Sequence, residues 1–158
     1  MVLYQPGQRL TWQRLQSGSP TDIASYVPTI TNHGTAVFSI QTGLYSITDI
    51  WVDVMIFLAV TTAGSGSGIV TVDMPTNVDR TVRQALTVHG ETLGVNGNGA
   101  STGGTIRGGE CVFFTGGSGA RADRIRVDDS DGDGENNIQG VDLKSGALVI
   151  IQGRYRRA

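Results

Sequence analysis

Ile50-Trp51-Val52-Asp53-Val54-Met55-Ile56-Phe57-Leu58-Ala59-Val60 is the stretch whose reading decides the fold. It is apolar apart from Asp53, with Trp51, Met55 and Phe57 on one face and Val52, Val54, Ile56 and Leu58 on the other. A helix competes for it, but the β-branched content and the breaker Gly64-Ser65-Gly66-Ser67-Gly68 that follows favour a strand. Apolar side chains on both faces predict a central strand buried on both sides, Trp51 included. Working outward, the glycines are expected to return the chain as a hairpin into Ile69-Val70-Thr71-Val72, which stops at Pro75. Upstream, Ala36, Phe38 and Ile40 alternate with Val37 and Ser39, a turn is expected at Thr42-Gly43, and Leu44-Tyr45-Ser46-Ile47 completes a hairpin pair. From Tyr26-Val27-Pro28-Thr29-Ile30-Thr31 to Pro75 the chain reads as one meander, which points to small all-β shells rather than to enzymes.

The remainder agrees with that frame. Residues 76–93 fit helical and strand spacing alike, and the β surroundings favour strand. Gly94 to Gly109 is poor in large side chains and reads as a long loop or irregular edge. Cys111 to Thr115, Ala122 to Val127 and Ala147 to Tyr155 supply three closing strands. The fold class expected is all-β, an antiparallel jelly-roll-like sandwich over residues 21–158, with a closed barrel as the alternative. Residues 1–20 form an extended N-terminal docking arm: Val2, Leu3, Tyr4, Leu10, Trp12 and Leu15 have no neighbour with which to close a core. Trp12 and Leu15 stand at i and i+3 after Thr11, a cap residue, so a short helical turn fits there. Such an arm calls for a partner surface, a neighbouring subunit among the options.

At 158 residues the chain fits one domain, which buries roughly 70% of its unfolded surface without help from metal or disulfide. Twelve basic against 14 acidic residues give a net charge of -2, which offers no general pull toward nucleic acid or anionic membrane. Lys144 is the single Lys among the 12 basic residues, a skew read as codon bias of a GC-rich genome. Cys111 is the single cysteine, so no disulfide framework exists, and its apolar flanks mark it as a strand thiol rather than a nucleophile. No basic start precedes an apolar leader, and the run Val54 to Val60 is too short to cross a bilayer; a soluble protein made in a cytoplasm is expected.

The sharpest motif is Asp128-Asp129-Ser130-Asp131-Gly132-Asp133-Gly134-Glu135. Asp129, Asp131, Asp133 and Gly134 match the first half of a calcium loop, in which alternate carboxylates face a hard cation and glycine permits the bend. The second half departs, with Gly140 where a bidentate Glu belongs, and a plain hairpin tip flanked by strand ends is the competing reading. His33 and His89 have no metal-ligand spacing and read as turn or strand residues. No nucleophile elbow, dinucleotide fingerprint or phosphate loop occurs. Asp49, Asp53 and Asp73 are the candidates for an acid pair, but each reads better as a rim carboxylate. Asp53, within an apolar strand, needs a partner, and an Arg in a structural ion pair suits it. Arg154-Tyr155-Arg156-Arg157 is a small basic cluster, read as a solvated terminus or an intersubunit contact.

Pro6-Gly7-Gln8-Arg9-Leu10-Thr11, Tyr26 to Thr31, Gly43-Leu44-Tyr45 with the long strand and Met74-Pro75, and the closing Gly146 to Tyr155 together resemble the small all-β virion proteins of tailed bacteriophages: minor tail, fibre-tip or head-decoration types. The resemblance covers most of the chain and rests on the order of these stretches. It implies a non-enzymatic virion component without cofactor, made in the host cytoplasm. It further implies a homotrimer or other symmetric oligomer, an arm docked to other virion proteins, and a sandwich turned outward toward host-envelope glycans, without nucleic-acid binding or membrane insertion. The shaft repeats of true fibres are missing, which leaves tail and capsid placement both open. A free carbohydrate-binding module using Trp or Tyr platforms and the Asp129 to Asp133 loop is the alternative, and a small glycosidase or esterase is disfavoured because no catalytic constellation is visible.

Overall fold

The computed structural model describes residues 23–95, 100–101, 106–128 and 135–158. The expected arm at residues 1–20, with Trp12, therefore lies outside the described residues, as do Asp129, Asp131 and Asp133. The described strands are β1 (Ala24–Tyr26), β2 (Ile30–Thr31), β3 (Val37–Thr48), β4 (Trp51–Thr62), β5 (Thr71–Val72), β6 (Gln84–Val95), β7 (Ala100–Ser101), β8 (Ile106–Phe113), β9 (Arg124–Asp128), β10 (Glu135–Asn137) and β11 (Leu143–Arg156), with one 3-10 turn at Gly140–Asp142.

The chain is all-β, and the antiparallel sandwich expected from the sequence is realised asymmetrically. One large sheet runs in the order β1-β3-β4-β11-β6-β8-β9-β10, with β7 on β6, and a small sheet pairs β2 with β5. The last strand, β11, takes the centre, antiparallel to β4 on one side and β6 on the other. Period-2 alternation gives the large sheet an apolar inner face: Val52, Val54, Ile56 and Leu58 from β4, Val149, Ile151 and Tyr155 from β11, Leu86 and Val88 from β6. The small sheet and the chain that follows it cover this face, contributing Ile30, Val70, Val72, Met74 and Val78 to the same core. Backbone bonds stitch the two layers: Val70 N–H donates to Ile138 O at 2.8 Å, Met74 N–H to Ala120 O at 2.9 Å and Ala122 N–H to Val72 O at 2.9 Å. The Tyr155 hydroxyl pins the covering segment from below, lying 2.8 Å from Thr76 Oγ1 and 3.3 Å from both Thr76 N and O.

Four expectations are corrected. No turn occurs at Thr42-Gly43; β3 runs straight through, and the turn falls at Asp49, which takes a left-handed φ of 58°. Gly43 answers a close approach instead, since a Cβ there would overlap the ring of Tyr26, crossing from β1. Gly64 to Gly68 do not form a hairpin: β5 pairs with β2, not with β4, and Gly64 and Gly66 lie against the backbone of His33 and Asn32. β4 is buried on one face only, leaving Trp51 41% and Met55 44% exposed. The segment read as one loop from Gly94 to Gly109 contains the start of β8, where Gly109 touches the Arg126 carbonyl of β9 too closely for any Cβ.

Candidate functional site

The outer face of the large sheet is where side chains with chemistry collect. Register places Leu44 opposite Met55, Met55 opposite Gln152, and Gln152 opposite Thr87, one row crossing β3, β4, β11 and β6. The neighbouring row sets Ser46 opposite Asp53 and Asp53 opposite Arg154. These rows form a shallow transverse groove of about 620 Å³, apolar where Ile23, Leu44 and Met55 line it and polar at Asp53, Gln152 and Arg154. Ile40 (42% exposed) and Leu44 (43%) join Trp51 and Met55 to make two adjacent strands present large apolar side chains to solvent.

Asp53 has the partner its position demanded. Arg154 Nε and Nη2 donate to its two carboxylate oxygens at 2.8 Å each, a bidentate fork. The pair is on the surface rather than buried, and the hydrogen bonds and charge of Asp53 hold the Arg154 proton more firmly than usual. Asp73 binds Arg121 at 2.9 Å, and Asp49 occupies the β3–β4 turn, so the three carboxylates considered as an acid pair are committed to separate places. The arginines of the basic tail are exposed, and two of them are also held in ion pairs. Tyr155 is fully buried, Arg154 serves Asp53, and Arg156 reaches Asp79 at 2.9 Å. Asp79 is held below the usual carboxylate range chiefly by hydrogen bonds from Thr81, with Arg156 adding its charge.

Farther along the same face, the guanidiniums of Arg83, Arg124 and Arg126 stand 5.1, 4.7 and 6.0 Å from the centre of the Phe114 ring. Glu110 accepts from Arg83 and Arg126 at 3.3 Å each. Sequence reading passed over this cluster because its members lie in three separate segments. Cys111 points into the core with no exposed surface, and burial, with Asp123 and Glu110 adding, pushes its thiol far above its ordinary range, the opposite of an activated nucleophile. His33 packs edge-on against Phe38 at 5.6 Å, and His89 meets Glu91 at 3.3 Å on β6. Among the described residues no three His, Cys, Asp or Glu side chains gather as a metal site. The strands flanking the Asp129 to Asp133 loop do pair, with Glu135 opposite Asp128, a hairpin frame common to the calcium and plain-turn readings.

No protein-family model, curated protein or solved structure matches the chain.

Proposed function

We propose that the chain is a non-enzymatic structural component of a bacteriophage particle, in the tail or on the capsid surface, that assembles with copies of itself into a symmetric oligomer. The exposed apolar side chains of the outer sheet face carry this reading: Leu44 and Met55 are opposite neighbours on β3 and β4, with Ile40 and Trp51 farther along the same face, beyond the Thr42–Phe57 and Ser46–Asp53 rows. Exposed large apolar side chains on one sheet face suit an association surface, and closed symmetry buries it in every copy at once. The ordered resemblance of four stretches to phage virion proteins supplies the particle, with a homotrimer as the form it implies. Docking of the arm to other virion proteins and contact of the opposite end with a host-surface glycan complete the proposal. Light scattering after size exclusion tests it: a trimer or other closed oligomer is expected, and a monomer across the micromolar range would overturn it.

The exposure of Trp51 favours a second reading, a free carbohydrate-binding module that uses this indole as a sugar platform beside Arg156. A monomer whose tryptophan fluorescence responds to glycans, and loses that response in Trp51→Ala, would favour it over the first.

A further inference from the structure

The arginines around Phe114 extend their stems over that ring and need no ligand to account for them. The hollow beside Arg80 offers no free charge, since that guanidinium is already bonded to Asp123 and to the Phe114 carbonyl. The transverse groove is different, because nothing in the described chain fills it while the described chain begins on its wall. Ile23 is the first described residue, is 72% exposed, and lines the groove together with Leu44 and Met55.

We propose that this groove seats residues 9–16 of a neighbouring copy, with Leu10, Trp12 and Leu15 as the anchoring side chains. The proposal rests on the reading that the chain assembles with itself. Its first support is reach: 22 residues precede Ile23, and extended they span roughly 70 Å, enough to cross onto an adjacent subunit. The second is direction. β1 runs antiparallel along β3 at the sheet edge, with Ala24 opposite Tyr45, whereas the groove passes from β3 and β4 over β11 to β6. At Ile23 the backbone is therefore aimed along the edge rather than down the groove, and a segment arriving from a symmetry-related copy is free of that constraint. The third is chemistry. Leu10, Trp12 and Leu15 are large apolar side chains in a segment otherwise rich in polar residues, and the groove offers apolar walls at one end with Gln152 and the Asp53–Arg154 pair at the other. An indole suits such a mixed site, burying its body while its N–H seeks an acceptor. Exchange of the segment around a closed ring repeats the contact once per copy.

The test uses the full chain. Wild type is expected to run as an oligomer, while Trp12→Ala with Leu15→Ser, and separately Met55→Asp, should weaken assembly about thirtyfold or more and shift the mass toward monomer. Met55 is solvent-exposed, and the thermal melt of each variant confirms that the domain itself is intact. Co-expression of a Trp12→Cys chain with a differently tagged Met55→Cys chain should then yield a disulfide between the two chains, Cys111 being buried and out of reach. A monomeric wild type would overturn the assembly reading, and this inference with it. An oligomer unchanged by the arm variant would overturn the inference alone, as would a disulfide found only within one chain that carries both cysteines.

Discussion

Tyr155→Phe isolates one atom that ties the two layers of the sandwich together. The ring stays, and with it the contact to Phe113 at 5.9 Å between centres, so the apolar packing at the end of β11 is preserved. The hydroxyl goes, and it engages Thr76 three ways, through Oγ1 at 2.8 Å and through the backbone N–H and carbonyl at 3.3 Å. Each ordinary hydrogen bond adds about 1 kcal/mol net, and leaving a half-buried backbone N–H without its acceptor costs a further 1–3 kcal/mol. The two long bonds are weak and overlap in effect, so the expected loss is about 2 kcal/mol. With a urea dependence of roughly 2 kcal/mol/M for a domain of this size, the midpoint should fall by about 1 M, and Tm by roughly 4–8 °C. Thr76→Val keeps the backbone bonds and should lose about 1 kcal/mol. The double variant should cost about 0.5–1 kcal/mol less than the sum of the two, since both substitutions remove the same Oγ1 contact. A Tyr155→Phe midpoint within about 0.25 M of wild type, or strict additivity, would refute the claim that this hydroxyl holds the covering segment to the sheet.

Raising the pH should destabilise the fold through two buried acids, Tyr155 and Cys111, and the partly buried Tyr26. Burial lifts Tyr26 and Tyr155 above 10.0 and Cys111 above 9.0, so the unfolded chain releases protons that the folded chain retains; the stability is complete below about pH 9 and lost as pH climbs through 10 and beyond, read as a falling urea midpoint that is shallower in Tyr155→Phe. At the acid end the sign reverses for Asp79: its lowered value makes it stabilising at neutral pH, with that contribution disappearing as pH falls below about 3.8, a loss that Asp79→Asn should abolish. Asp123→Ala takes the carboxylate from the Arg80 guanidinium, whose side chain is only 5% exposed, leaving it the Phe114 and Arg121 carbonyls alone, and should cost about 3 kcal/mol, whereas Asp53→Asn on the exposed outer face should leave the midpoint nearly unmoved; equal losses would overturn the assignment of one pair as buried and the other as surface. Gly43→Ala forces a methyl into the Tyr26 ring and should cost roughly 1–3 kcal/mol, with Tyr26→Ala in the same chain recovering part of it.

Strand identity was legible where side chains alternate or run apolar without a break. β4 and β11 read as strands from apolar, β-branched runs, whereas residues 76–93 fitted helical and strand spacing alike and were taken as strand from their β surroundings, of which only residues from Gln84 onward form β6. Glycine misled in both directions. It was read as punctuation, and at Gly43 and Gly109 it lies inside strands, present because a Tyr ring or a neighbouring carbonyl passes too near for a side chain. That cause is three-dimensional, and a single sequence holds no trace of it. The pairing of β5 with β2 rather than β4 was equally hidden, since the order of strands in a sheet is set by which layer a segment can reach, not by its own composition.

The candidate site shows the same boundary from the other side. An arginine partner for Asp53 was expected from desolvation in a strand buried on both faces; the face is exposed, and the pair forms because β11 lies beside β4 and sets Arg154, 101 residues on in sequence, directly opposite Asp53. β11 also gives the basic tail three structural roles: a fork on Asp53, a core tyrosine and an ion pair with Asp79. The layering explains why Trp51 and Met55 are exposed despite a sequence apolar on both faces. β4 has a covering layer on its inner side, built from the β2–β5 sheet, and among the described residues no second layer on its outer side. The outer face thus alternates row by row, with Leu44–Met55 and Trp51 apolar and the Ser46–Asp53 row between them polar, and its apolar rows are the ones the proposed assembly would cover.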